Sequence, residues 1–250
     1  MKKDNGADRQ ETTGIVLRLY NAGQRDKIGV FYTRDFGLIK VYLPQGRLFG
    51  KKNVGILQPF NVVALSGAWQ DTLFMLYQAE LVRSVPLAAL GLKGFVYTSL
   101  LVEMLEIIFP EVEKDDAVYE VLFRYGELAA KKDIVILTVI AGWQLVALGG
   151  YQPEVGQVEV RKYYSGAAER YWFGNENPVP AEIGQPVILP EELCALWKRI
   201  FQYNWQLEQT MTIKKKQIKL LEVLLYDYVE QYTDRSLKSR ASLSIVEDIN

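Results

Sequence analysis

The sequence predicts an α+β protein, with a five-stranded barrel of the OB type first and a mainly α-helical domain with a small irregular insert after it. Three observations carry this reading. Apolar and polar residues alternate with a period of two in five short runs within about seventy residues, the density of a small closed barrel. Beyond residue 83 the apolar spacing becomes helical. Between residues 151 and 190, glycine, proline, tyrosine and asparagine interrupt both patterns. An SH3-like barrel or another small sheet is the alternative for the first segment.

In the first strand, Ile15, Leu17 and Leu19 alternate with Val16, Arg18 and Tyr20, so one face should be buried and the other wet. Residues 27–33, 38–43, 61–68 and 72–82 read the same way. Small polar residues around Gly23 make a turn, and Asp35-Phe36-Gly37 makes a tight reversal. Pro44 ends the third strand and opens a basic loop, 45–53, with Arg47, Lys51 and Lys52. Ser84-Val85-Pro86 reads as a linker, because proline cannot continue a strand ladder. Helices are expected at 94–109, stopped by Pro110, and at 117–130 and 134–148. The β-branched run 134–140 resembles a strand, but the apolar pattern continues through Trp143, Leu145 and Leu148 to Gly149-Gly150. Two strands, 157–164 and 169–173, fall in the irregular subdomain. Pro190-Glu191-Glu192 starts a helix running to about 211, with acidic groups where the macrodipole favours them. The last helix, 214–232, carries Ile218, Leu221, Leu224, Leu225, Tyr228 and Tyr232 on one face. Lys214, Lys215, Lys216 and Lys219 at its start oppose the dipole, so they form either a solvated face or a binding patch. The expected domains are a tail at 1–11, the barrel at 12–83, a helical domain at 87–240 that includes 151–190, and a tail at 241–250.

Composition excludes several function classes. The chain has no histidine, which removes the commonest general base, the commonest zinc ligand and every histidine-paired nucleophile. It has one cysteine, Cys194, read as a buried helix position rather than a reactive thiol. No GxxxxGK[ST] phosphate loop occurs, and the Glu103 and Glu106 pair reads as a solvated helix face. A non-enzymatic protein without metal or cofactor is therefore expected. No apolar run reaches the roughly 18 residues that span a bilayer, so no membrane partner is expected. Residues 1–11 lack the apolar segment of a signal peptide, which points to the cytoplasm.

Net charge is only −1, so a nucleic-acid function needs a local basic face. From residue 12 to 83, Arg18, Arg25, Lys27, Arg34, Lys40, Arg47, Lys51, Lys52 and Arg83 face only Asp26, Asp35, Asp71 and Glu80. All but Arg83 are candidates for phosphate contact, with Tyr42 and Phe49 as rings for stacking on unpaired bases. The bland alternative is that the loop is simply basic and Phe49 caps the barrel.

The barrel segment carries Gly14-Ile15-Val16-Leu17-Arg18, Phe31-Tyr32-Thr33-Arg34-Asp35-Phe36-Gly37, Gly46-Arg47 and Leu57-Gln58-Pro59-Phe60. Later come Leu148 with Gly150-Tyr151-Gln152-Pro153, and Leu237-Lys238-Ser239-Arg240. In this order and spacing the chain resembles the RecO family of bacterial recombination mediators over residues 13–243. The resemblance implies an N-terminal OB-fold, binding of single- and double-stranded DNA, annealing of complementary strands, and, with RecR, help in loading RecA onto strands coated by single-stranded-DNA-binding protein (SSB). It implies a nucleoid-associated cytoplasmic protein of DNA repair. Many members also carry a four-cysteine zinc site, yet residues 151–190 contain no cysteine here. Relatives tend to have arginines that hold the acidic SSB tail just before the helix ending in Gly-Tyr. Here those positions fall near Val139 and Ile140, with Arg124, Lys131 and Lys132 as the nearest cations. These three, with Trp143, Lys238 and Arg240, are the partner-binding candidates, although the apolar pattern favours core packing for Trp143. An RNA-binding OB-fold accessory factor and a protein-interaction scaffold are the rival readings.

Overall fold

In the computed structural model, which describes residues 8–23, 26–44, 55–174, 184, 186–206 and 211–247, five strands close into a barrel. They are β1 (Gln10–Ala22), β2 (Asp26–Thr33), β3 (Gly37–Leu43), β4 (Val62–Gln70) and β5 (Leu73–Arg83). The order is β1-β2-β3-β5-β4, with β4 returning to β1 and only the β3–β5 pair parallel, so the expected OB-fold is present. Val16, Phe31, Ile39, Val41, Val63, Leu65 and Phe74 fill the interior.

β1 departs from the expectation in two ways. It begins inside the expected tail: Gln10 pairs with Gly67, and its Oε1 accepts from Trp69 Nε1 at 3.0 Å. Nor does it keep one wet face, because Ile15, Val16 and Leu17 are all buried. A bulge between Val16 and Arg18 shifts the register, and a second layer lies against the outside of the barrel.

Within the barrel's own compact unit that layer is the helix Asp116–Ala129, whose Tyr119 and Tyr125 meet Arg34 and Phe60. After a 3-10 turn, Leu87–Leu90, come α1 (Gly91–Ile108) and α2 (Asp116–Ala129). The chain forms two compact units, Met1–Gly91 with Phe109–Lys131 and Leu92–Ile108 with Lys132–Asn250. The sequence assigns the helix near 117–130 to the helical domain, but its contacts put it with the barrel. Phe60 holds a positive φ of 64° and its ring sits 5.0 Å from that of Tyr125, while Arg83 pairs with Glu127 at 2.7 Å. Val112 N donates to Leu38 O at 2.8 Å, extending the edge of β3. The Asp35-Phe36-Gly37 reversal forms as predicted. Gly37 takes a φ of 65°, and a Cβ there would run into the Glu113 carbonyl.

The second unit contains most of α1 with α3 (Ile134–Leu148), β6 (Val160–Ser165), β7 (Ala168–Phe173), α4 (Glu191–Phe201), α5 (Lys215–Thr233), a 3-10 turn (Lys238–Ser242) and α6 (Leu243–Glu247). α3 is a helix despite its β-branched start. Gly142 lets it approach its neighbours, since a Cβ there would lie 2.5 Å from Leu225 and 3.0 Å from Met104. Trp143 is fully buried and packs on Trp197, with ring centroids 4.5 Å apart.

Three expectations are corrected here. α4 ends at Phe201 rather than near 211, because Gln144 Nε2 donates to Ile200 O at 3.1 Å and Tyr203 O at 2.7 Å, satisfying carbonyls that a longer helix would use. The expected tail at 241–250 instead carries α6, with Val246 buried. The 22-residue stretch Leu87–Ile108 is, by length and composition, apolar enough to cross a membrane, contrary to the reading of the sequence. Its buried side chains, Leu100, Leu101, Met104 and Leu105 among them, have the distribution of a core helix.

Candidate nucleic-acid interface

The register across β1, β2 and β3 assembles a face that the sequence only partly showed. Arg18 pairs with Val30, and Val30 with Lys40; one row along, Tyr20 pairs with Ile28, and Ile28 with Tyr42. Directly opposed residues share a sheet face, and the core side chains Phe31, Ile39 and Val41 occupy the other parity, so this set points away from the barrel interior, with Val30 itself buried between Arg18 and Lys40. Adjacent strands lie about 4.8 Å apart and rows about 6.8 Å apart, so each pair of like residues spans about 10 Å. Two cations thus stand above two tyrosines on one curved surface. Tyr20 was missed in the sequence, although its parity with Arg18 was visible there; its ring is 41% exposed.

The electrostatics of this face temper its cations. Lys40 Nζ pairs with Glu111, and both side chains are about four-tenths exposed. Such a surface pair contributes little to stability and can open for a phosphate. Tyr42 OH donates to Asp26 Oδ2 at 2.5 Å. That hydrogen bond, before any effect of burial, raises the pKa of the phenol and keeps it protonated. The ring also borders an open depression of about 340 Å³ beside Gln70, Asp71 and Thr72 of the β4–β5 turn. A flat ring at the wall of a depression suits an unpaired base.

The remaining candidates are dispersed. Lys27 sits half-buried at the end of β2, opposite Asn21 and Leu43. Arg34 lies at the other end of the barrel, its guanidinium 5.0 Å from the centre of the Tyr119 ring. Arg25, Arg47, Phe49, Lys51 and Lys52 fall outside the described residues.

The partner-binding candidates are also separated. Arg124 is held by Glu120 and Glu127, each at 2.7 Å, and these bonds raise its pKa. Lys131 is exposed, while Lys132 donates to Tyr203 OH at 3.0 Å. Trp143 lies in the core and donates to Leu221 O at 3.2 Å. Arg240 is largely buried between Asp227 and Glu230, and Lys238 offers its backbone N to Glu103 at 2.8 Å. In the same unit, an open groove of about 1090 Å³ is lined by Tyr97, Ile136 and Val223, by Lys93, Lys215 and Lys216, and also by the carboxylates Asp133, Glu169 and Glu222. The lysines at the start of α5 therefore border an apolar surface, which the sequence could not show.

The chain is similar in sequence to known proteins over most of its length. Residues 8–85, the barrel, match the family model described as Recombination protein O N terminal. A DNA repair protein RecO from Pelotomaculum thermopropionicum is 26% identical over 241 residues, 92% of this chain and 91% of the relative. One from Caldanaerobacter subterraneus is 26% identical over 168 residues, 62% of this chain and 66% of its own length. One from Halalkalibacterium halodurans is 20% identical over 252 residues, 94% of each chain. The barrel thus matches the amino-terminal domain model of Recombination protein O, and over nearly its whole length the chain is similar to proteins named DNA repair protein RecO.

Proposed function

We propose that this chain is a non-enzymatic mediator of recombinational DNA repair. It binds single- and double-stranded DNA through the barrel, anneals complementary strands, and with RecR helps load RecA on SSB-coated DNA in the bacterial cytoplasm. The observation that carries the reading is the outward set Arg18, Tyr20, Lys40 and Tyr42 on the strands that match the RecO amino-terminal domain. Annealing follows physically: cations reduce the repulsion between two phosphate backbones, while bases resting on rings keep their pairing edges accessible. No bond is broken in this scheme.

A salt titration of binding to a fluorescent single strand tests it. Each lost phosphate contact reduces the slope of log affinity against log salt by about 0.7. The double variant Arg18→Ala/Lys40→Ala should bind more weakly and lower that slope by about 1.4. An unchanged slope and affinity would remove this face from the proposal. The Arg47→Ala/Lys51→Ala/Lys52→Ala variant asks the same of the basic loop. Equal displacement of bound DNA by RNA and DNA competitors would favour the RNA-binding reading.

The lysine-bordered groove supports a second element, a seat for the acidic SSB tail. An acidic segment ending in an aromatic residue needs cations for its carboxylates and an apolar surface for its ring, and the groove offers both. Lys215→Glu/Lys216→Glu should abolish binding of a tail peptide while leaving binding to naked DNA intact. Retained peptide binding would place the tail elsewhere.

A further inference from the structure

The four-cysteine zinc site that the resemblance implies does not fit this chain. Residues 151–190 contain no cysteine, the chain has no histidine, and among the described residues no group of three or more metal-ligating side chains occurs. Yet this region holds the β6–β7 ribbon. Two strands alone are marginally stable in water, and the outer edge of β7 presents backbone groups that β6 cannot reach.

α5 supplies partners for that edge. Asp227 Oδ2 accepts from Tyr171 N at 2.7 Å. Gln231 Oε1 accepts from Phe173 N at 2.8 Å, and Gln231 Nε2 donates to Phe173 O at 2.7 Å. The spacing makes this possible: residues four apart on a helix are displaced by about 6 Å, and residues two apart on a strand by about 6.8 Å. Helix side chains therefore take the place of a third strand.

Charge then fixes the helix to the ribbon and to the chain beyond it. Arg240 Nη1 donates to Asp227 Oδ1 at 2.7 Å and to Glu230 Oε2 at 2.8 Å. Arg170 on β7 pairs with Glu230 and lies 2.6 Å from Asp227 Oδ1, although its Nε–H is not aimed along a hydrogen bond. Glu230 Oε1 also accepts from Leu237 N at 2.9 Å. Lys238 N and Ser239 N donate to the Glu103 carboxylate at 2.8 and 2.9 Å, which holds the turn that presents Arg240. Asp227 is 3% exposed, and the two acids and two arginines sum to zero charge, the condition under which a buried ionic cluster is tolerated.

We infer that this four-charge cluster is the structural substitute for the absent metal site: an ionic clamp that fastens β7 and the 237–240 segment to α5. Removing one member leaves a buried charge uncompensated, so the ribbon edge should open.

The test is amide hydrogen exchange on the full chain. Arg240→Met should accelerate exchange at the Tyr171 and Phe173 amides by about tenfold or more and leave Phe31 and Ile39 in the barrel unchanged. Glu230→Gln, which keeps size and an acceptor, should act at the same two amides more weakly. Should Arg240→Met not fold, Glu230→Gln decides by the same readout. Unchanged exchange at Tyr171 and Phe173 would overturn the inference. So would one zinc per purified chain together with opening of those amides by EDTA.

Discussion

The barrel and the β6–β7 ribbon treat their strand edges in opposite ways. Each barrel strand pairs with two others, so the sheet closes on itself. The ribbon has two strands and leaves the edge of β7 to Asp227 and Gln231 of α5. The difference extends to charge. Arg18 and Lys40 stand on the outer face of a sheet that needs neither for closure, whereas Arg170 and Arg240 are set among buried carboxylates. Identical residue types thus stand on an outer face in one region and inside an ionic cluster in the other, and what separates them is burial: Lys40 meets the exposed Glu111, whereas Arg170 and Arg240 meet the buried Asp227.

The largest expected effect attacks the barrel. Gly37→Val imposes a β-branched side chain at positive φ and against the Glu113 carbonyl, so unfolding in urea should show a loss of about 3 kcal/mol. A loss under about 1 kcal/mol would mean that the reversal adapts readily. On the ribbon side, Gln231→Leu strands the N–H and C=O of Phe173 and should lower stability by about 2 kcal/mol. A neutral result would show that water replaces the helix side chain and that the contrast in edge treatment is shallow.

Recognition gives the next step down. Tyr20→Ala and Tyr42→Ala should each weaken single-strand binding by about 1–2 kcal/mol, measured by fluorescence anisotropy, without changing stability by as much. Tyr42→Phe keeps the ring and loses only the bond to Asp26, so it should bind almost as wild type. Equal losses for Phe and Ala would show that the hydroxyl, not the ring, matters.

The smallest effect concerns the seam between β5 and α2. Burial pushes the Glu127 carboxyl up, but the bonds from Arg124 and Arg83 outweigh it and hold the pKa below the ordinary 4.5. A depressed folded-state value contributes stability that is complete above the unfolded pKa and lost as pH falls through the folded one. Arg83→Met should therefore make the decline of the urea midpoint between pH 5 and pH 3 shallower. Both partners are about a quarter exposed, so solvent screening keeps the difference under about 1 kcal/mol.

Much of the fold was legible in the chain. Alternation located the five strands, Asp35-Phe36-Gly37 located the β2–β3 hairpin, and Gly149-Gly150 located the end of α3. The interface was less legible. Arg18, Lys40 and Tyr42 were named, but Tyr20 was passed over: its parity with Arg18 was legible, while its place in the row with Tyr42 is set by the register of β1, β2 and β3. Arg240 and Trp143 looked like contact residues, and both are engaged inside the second unit.

The sequence by itself determined the order and type of the elements, since hydrophobic period and turn chemistry act over a few residues. It also determined that neither a histidine nor a four-cysteine site could contribute. Only the tertiary structure decided that β1 is buried on both faces in its middle, that α4 stops where Gln144 takes its last carbonyls, and which arginines remain on the surface. The reason is range. A charge or a strand edge is satisfied by groups scores of residues away, such as Tyr171 by Asp227, and no local pattern encodes that meeting.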